Sequence, residues 1–322
     1  MNIIQISNTY RGEVLDLVKK MVPEGFEIRT LSENTPEELS KKIEDADYLL
    51  ASGRIPVTDM VLNHASRLKM IQRTGVGLDS LDLVAIQKRN IPLYVNKGVN
   101  AESVAEHALL LTLACLRRLV QINNDVKNGT WNKQQQGINT RELSQKTVGI
   151  IGMGNIGRRF AGLLKGFGVN VIYADQYLLS PETEKELDVK HMELEQLFSC
   201  ADIVSLHCPL TKDNKNIICK KTLDSMKDGV IIINTARGGL ICEQDLIEAI
   251  QNGKVYAAGL DVYEQEPVSL DNELLKMSNV ITTPHIGGVT YDSFSEMIRS
   301  AMYNIQMFHE GHLDKIASSR YY

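Results

Sequence analysis

Short apolar runs alternate with amphipathic stretches along the whole chain. In the first hundred residues the runs fall at 3–6, 27–30, 48–51, 69–73 and 93–95, each the length of a buried strand. Between them, 11–20, 36–44 and 82–88 carry apolar residues at helical spacing. Thr35 can cap the second of these, Pro36 suits a first helical position, and Glu37 and Glu38 favour the positive end of a helix dipole. Strands alternating with helices predict a parallel sheet covered by helices. Residues 101–119 read as one long helix with Val104, Ala108, Leu111 and Cys115 on one face, a bridge between domains. A polar loop at 128–131 follows, carrying Trp131. At Thr147 a second alternating region opens, with strands expected at 148–151, 171–174, 203–207, 230–234, 257–261 and 280–282. Helices are expected at 155–165 and 243–252, then a last helix at 291–308 and a polar tail. The pattern predicts an α/β fold with two doubly wound parallel-sheet domains.

Composition narrows the class without changing it. The 322 residues suffice for two cores, and 43% hydrophobic with 23% charged residues is ordinary for a globular protein. A net charge of −5 argues against a nucleic-acid surface. The most apolar stretch, 108–116, falls short of the ~20 residues of a membrane span, so no membrane partner is expected. The opening residues 1–6 lack the basic start and long apolar region of a signal peptide. Cys115, Cys200, Cys208, Cys219 and Cys242 show no close pairing, which points to free thiols in a reducing cytoplasm. No two Cys or His residues have ligand spacing, so no metal is expected.

The chemistry begins at 147–151, an apolar run followed by Gly152-Met153-Gly154-Asn155-Ile156-Gly157. Glycines at that spacing make a tight turn, let backbone approach a pyrophosphate, and allow close helix–strand packing. The phosphates would lie at the positive end of the next helix. The following strand ends at Asp175, where the fingerprint places the carboxylate that binds the adenosine ribose. A carboxylate there repels a 2′-phosphate, and Gln176 follows rather than Arg, so NAD is expected over NADP.

Three further residues each follow an apolar run: Arg237 in Asn234-Thr235-Ala236-Arg237-Gly238-Gly239, Glu266 in Glu264-Gln265-Glu266-Pro267, and His285 in Thr283-Pro284-His285-Ile286-Gly287-Gly288. Catalytic groups of open α/β sheets collect at the carboxyl ends of strands. A fixed cation, a carboxylate and an imidazole can hold an anionic substrate and move one proton. Motifs of this kind in this order resemble those of the D-isomer-specific 2-hydroxyacid dehydrogenase family, which implies a 2-oxo acid as substrate; its reduction needs hydride at the keto carbon and a proton on its oxygen. His285 would be general acid in that direction and base in oxidation. Glu266 would orient His285 and favour its protonated form. Arg237 would bind the substrate carboxylate and polarise its carbonyl.

With these motifs the chain resembles the D-isomer-specific 2-hydroxyacid dehydrogenase family. The likeness runs over nearly the whole chain, through Arg73-Thr74-Gly75-Val76-Gly77-Leu78-Asp79, Ser103-Val104-Ala105-Glu106-His107, His207-Cys208-Pro209-Leu210 and Leu260-Asp261-Val262-Tyr263 in family order. It is nearest the 3-phosphoglycerate dehydrogenase and hydroxypyruvate/glyoxylate reductase branches. The resemblance implies a Rossmann NAD-binding domain, 101–287, inserted into a flavodoxin-like substrate domain, 1–100 with 288–322, and an active-site cleft shut by hinge closure. It implies that Val76, Asn155, Ile156, Cys208, Pro209, Thr235, Ala236, Asp261 and Gly287 meet the cofactor alongside the fingerprint glycines and Asp175. It also implies that the backbone at Val76 and Gly77 holds the substrate carboxylate, and that the molecule is a homodimer built through 101–119.

Substrate choice turns on fewer residues. Arg73 matches a basic position of the phosphoglycerate branch, and Lys133 one that family dimers present to the neighbouring active site; both suit an extra phosphate. The loop Ala51-Ser52-Gly53-Arg54 departs from that branch's Arg-Ser order and displaces Arg54 by two places. The expected partner is a small anionic 2-hydroxy or 2-oxo acid, 3-phosphoglycerate first and hydroxypyruvate or glyoxylate as the alternative. With Tyr322 as the final residue, no room is expected for the serine-sensing domain some relatives append. Family members also serve as NAD-sensing corepressors that keep the same three residues, so a binding protein stays open as a second class.

Overall fold

A computed structural model of the chain describes residues 1–321. It divides the chain into two units, Met1–Asn100 with Thr290–Tyr322, and Ala101–Val289; Tyr322 itself lies outside the described residues.

The first unit is built on β1 (Asn2–Ile6), β2 (Phe26–Arg29), β3 (Tyr48–Ala51), β4 (Met70–Arg73) and β5 (Leu93–Tyr94). All pairings are parallel and the spatial order is β2-β1-β3-β4-β5, the flavodoxin-like doubly wound order. Residues two apart on a strand share a face. Ile3, Leu49, Ala51, Ile71 and Leu93 therefore pack with Leu39, Ile43 and Ile86 on one side. Ile4, Ile6, Tyr48 and Leu50 pack on the other against Ile298, Ala301, Met302 and Ile305 of the helix Tyr291–His309. The helix Pro36–Lys42 starts as its sequence predicts, with Thr35 accepting from the Glu38 amide and Pro36 in the first turn.

The second unit holds β6 (Thr147–Ile151), β7 (Asn170–Ala174), β8 (Val189–His191), β9 (Ile203–Leu206), β10 (Val230–Asn234), β11 (Val255–Leu260) and β12 (Val280–Thr282). Their order is β12-β11-β10-β9-β6-β7-β8, all parallel, which is the Rossmann order with one strand added. Sequence order reverses between β6 and β9, so the loops after those two strands open a crevice at their carboxyl ends. The helix Ala101–Arg117 covers one face through Ala105, Ala108, Leu111 and Cys115. No helix among the described residues is long and apolar enough to cross a membrane.

Three expected elements differ. The long helix ends at Arg117: Arg118 is left-handed (φ 49°) and a separate helix, Leu119–Lys127, follows with no buried residue. Its apolar spacing continues past 117, but no core lies under it. β9 stops at Leu206, one residue short of the expected strand, where His207 turns beside the glycine loop. The polar tail is ordered: Leu313–Ser319 forms a 3₁₀ helix with Ile316 buried, and Val95 and Tyr321 donate backbone bonds that dock the tail on β5.

Candidate active site

At the β6–β9 crevice, Gly152 adopts φ 98°, a conformation side-chain-bearing residues avoid. A Cβ there would stand 2.6 Å from the Cys208 amide nitrogen and 2.7 Å from the His207 carbonyl carbon, so the two loops can meet only over glycine. Gly154 borders open space, and the helix Asn155–Leu164 begins behind it. The first amides of that helix have no partner within it and carry the dipole's positive end, which suits a pyrophosphate. Asp175 closes the turn, accepting the Met153 amide at 2.6 Å and the Tyr177 amide at 2.8 Å. Its carboxylate is therefore fixed at the end of β7, beside the glycine loop.

Two buried polar atoms nearby, Thr235 Oγ1 and His207 Nδ1, have no hydrogen-bond partner among the described residues. An orphaned hydroxyl after β10 fits a site that a polar cofactor completes. Burial drives His207 down to about 3, so its ring is neutral, with Nε2 2.8 Å from Ser205 Oγ. Burial pushes the Cys208 thiol up to about 11, so it is a poor nucleophile and serves as backbone and packing. Pro209 is exposed beside it.

Arg237, Glu266 and His285 all follow strands of this same sheet. At the end of β10, Asn234 is fully buried; its side chain accepts from the Ala236 amide at 3.0 Å and donates to Arg237 O at 2.9 Å, shaping the turn that presents Arg237. Arg237 Nη1 donates to Ala236 O at 2.6 Å. A Cβ on Gly238 would lie 1.9 Å from the Tyr263 carbonyl group, so only glycine lets this turn run against the 263–266 turn. Glu266 accepts the Tyr263 amide through Oε1 at 3.1 Å and meets His285 Nδ1 through Oε2 at 2.7 Å. Nδ1 is thereby the protonated nitrogen facing the carboxylate, which leaves Nε2 for a substrate. That hydrogen bond and the carboxylate charge raise the His285 pKa against burial and the positive Arg237; Asp261 adds to the rise. Burial raises the Glu266 pKa, but the His285 bond, the His285 charge and the Tyr263 amide outweigh it and the net shift is downward.

His285 also has φ 54°, a left-handed backbone that costs about 1–3 kcal/mol for such a residue. Asp261 holds it there. The Asp261 carbonyl accepts the His285 amide at 2.8 Å, Oδ1 accepts Ile286 N at 2.9 Å and Thr283 Oγ1 at 2.5 Å, and Oδ2 accepts Gly287 N at 2.8 Å. His107 Nε2 lies 3.0 Å from Thr283 Oγ1 and 3.6 Å from Asp261 Oδ1. Burial works against ionised Asp261, yet these donors lower its pKa overall. Asp261 and Gly287 are thus bonded to each other, and about one acceptor position of the carboxylate remains for a ligand. His107, Thr283 and Tyr263 take part in this arrangement without having been singled out by the sequence. All three lie inside quoted motifs, but a role for them depends on contacts between distant segments.

The remaining expected site residues are in other places. In the first unit, Val76 and Gly77 lie in the loop after β4 and their amides find no acceptor among the described residues. Arg54 is exposed in the loop after β3, while Ser52 is buried against Ser7. Arg73 is buried and donates Nε to Gly77 O at 2.6 Å and Nη1 to Ala51 O at 3.1 Å. In the second unit, Lys133 begins a short surface helix, Lys133–Ile138.

Residues 109–287 match the family described as D-isomer specific 2-hydroxyacid dehydrogenase, NAD binding domain. The chain is 41% identical over 259 residues to a hydroxypyruvate reductase of Thermotoga maritima, covering 80% of this chain and 83% of that protein. It is 39% identical over 291 residues to a D-3-phosphoglycerate dehydrogenase of Archaeoglobus fulgidus, covering 90% of this chain but 54% of that protein. The chain thus spans about half the length of that phosphoglycerate dehydrogenase. Among solved structures it is similar to D-lactate dehydrogenase of Aquifex aeolicus complexed with NAD and lactic acid, with a TM-score of 0.88, 28% identity and 99% of each chain covered.

Proposed function

This chain belongs to the D-isomer specific 2-hydroxyacid dehydrogenase family, and from that premise we propose that it moves a hydride between NAD(H) and a small anionic 2-hydroxy or 2-oxo acid. The observation that carries the reading is the 2.7 Å bond between His285 Nδ1 and Glu266 Oε2, in the same sheet as the Gly152 turn and Asp175. When bound, the dihydronicotinamide supplies the hydride. His285 Nε2 gives the proton to the carbonyl oxygen in reduction and takes it back in oxidation. Glu266 keeps the ring oriented and charged until that proton moves. Arg237 polarises the carbonyl and steadies the carboxylate. The open amides of Val76 and Gly77 hold a substrate carboxylate. Asn155 and Ile156 hold the pyrophosphate, Asp175 the ribose hydroxyls, and Cys208, Pro209, Thr235, Ala236, Asp261 and Gly287 border the rest of the cofactor.

Two substrates compete. Arg54, Lys133 and the basic residue type at Arg73 support a 3-phosphoglycerate-type acid, as the matched phosphoglycerate dehydrogenase does. The engagement of Arg73 with two backbone carbonyls favours the second reading, a hydroxypyruvate or glyoxylate reductase. Initial rates with NADH and 3-phosphohydroxypyruvate, hydroxypyruvate, glyoxylate and pyruvate rank the readings. Tight NADH binding with no turnover on any of them would instead favour the NAD-sensing corepressor class. We further propose a cytoplasmic homodimer. Exposed Val120, Val126 and Ile138 on the helices after Arg117, with Trp131 in the loop between those helices, support an apolar contact between copies. Light scattering on the purified protein tests it, a monomer mass being the contrary result.

A further inference from the structure

In the first unit, the loop after β4 has its carbonyls turned inward. Arg73 O accepts from Gln72 Nε2 at 2.8 Å, Thr74 O from Asn96 Nδ2 at 3.1 Å, Gly75 O from the Asn96 amide at 3.3 Å, and Gly77 O from Arg73 Nε at 2.6 Å. Arg73 Nη1 reaches Ala51 O at 3.1 Å, the carbonyl that also accepts the Thr74 amide. Arg73, 8% exposed as a residue, therefore joins the end of β3 to the loop after β4. Asn96 is held in turn by Gln72 Nε2 at 3.1 Å and Ser300 Oγ at 3.2 Å, and donates to Met297 O at 2.8 Å. A peptide whose carbonyl faces inward presents the next residue's amide outward, so the bonds at Thr74 O and Gly75 O turn the Gly75 and Val76 amides outward, and such amides form a concave seat for an anion. The amides of Gly75, Val76 and Gly77 have no acceptor among the described residues, and Val76 is 46% exposed.

We propose that Arg73 is a positioning residue, a clamp that keeps the 75–77 amides aimed at the substrate carboxylate, and that it is no ligand of a substrate phosphate. The inference rests on the oxidoreductase reading above and deepens it. Turning Arg73 toward a phosphate would strip Gly77 O of its charged donor and leave Ala51 O to the Thr74 amide, and losing a hydrogen bond from a charged donor destabilises the loop. With Nε and Nη1 donating to two backbone carbonyls, the guanidinium is held by the protein's own backbone. The site is therefore built for an unphosphorylated 2-oxo acid, with Arg54 as an exposed cation in the β3 loop.

The test compares Arg73→Met with the wild-type enzyme on hydroxypyruvate and on 3-phosphohydroxypyruvate. A clamp raises KM for both by the same factor, roughly tenfold, with kcat and NADH affinity retained. A rise for the phosphorylated acid alone identifies a phosphate ligand and overturns the proposal, as does no change for either. Gly53→Ala serves where Arg73→Met does not fold. Its methyl would stand 3.0 Å from Arg73 Nη2, and a smaller rise for both acids is expected. If the wild-type enzyme reduces neither acid, the activity reading fails on its own. Hydrogen exchange of the Thr74 amide then decides the clamp: faster exchange in Arg73→Met supports it, and unchanged exchange overturns it.

Discussion

Glu266→Gln keeps the shape of the side chain and removes its charge. In the wild-type protein the carboxylate receives Nδ1–H of His285 at 2.7 Å, and the two side chains are 37% and 48% exposed. A hydrogen bond between charged partners contributes about 1.5–3 kcal/mol, and water at such a site argues for the lower end, about 1.5 kcal/mol. That corresponds to roughly a tenfold loss of reduction rate at neutral pH. The sign in pH is fixed by His285, whose pKa is raised, first by the Glu266 hydrogen bond and with it the Glu266 charge. Reduction needs the imidazolium and fails as pH rises through that raised pKa. Without the carboxylate the failing limb moves to lower pH, and the acid limb of the oxidation profile moves the same way. Fold stability follows the same linkage. The His285 contribution is full below the unfolded imidazole pKa and is lost as pH rises through the raised folded value. The Glu266 contribution, from a lowered pKa, is present above the unfolded carboxylate pKa and is lost as pH falls through the folded value. Stopped-flow or steady-state NADH oxidation across pH reads the effect. A profile superimposable on the wild type, or one displaced to higher pH, refutes the role given to Glu266.

His285→Ala removes the acid itself and should lower kcat by about 10²–10⁴ while NADH fluorescence titration stays near wild type; near-normal turnover would end the assignment. Asp175→Asn should weaken discrimination against NADPH, but it also disturbs the acceptor of the Met153 amide, so NADH affinity should fall as well; unchanged selectivity would remove Asp175 from the ribose site. Gly238→Ala forces a methyl to within 1.9 Å of the Tyr263 carbonyl, and overpacking of this kind costs about 1–3 kcal/mol. Its melting temperature should drop and keto-acid turnover with it, whereas a fully active, equally stable variant would contradict the close approach of the two turns.

The strands other than β8 were legible because each is a short apolar run, and the cap at Thr35 because its residues are local. The glycine turn and Asp175 were legible because spacing along one βαβ unit encodes them. The break at Arg118 was hidden, since apolar spacing runs on into a helix that has no core beneath it. β8 and the helix Lys133–Ile138 carry too little periodicity to announce themselves. The hub at Asp261 joins β11, the 283–287 loop and His107, and no local pattern predicts three donors converging on one carboxylate. Arg73 shows the same limit. Its residue type suggests an anion ligand, and only its bonds to Ala51 O and Gly77 O reveal a different task.

The most direct test of the central claim is the configuration of the product formed from hydroxypyruvate and NADH. Chiral analysis should find D-glycerate, formed by the wild-type protein and lost in His285→Ala. Formation of L-glycerate, or NADH bound tightly with no glycerate formed from any 2-oxo acid, would contradict hydride transfer by a D-specific 2-hydroxyacid dehydrogenase site.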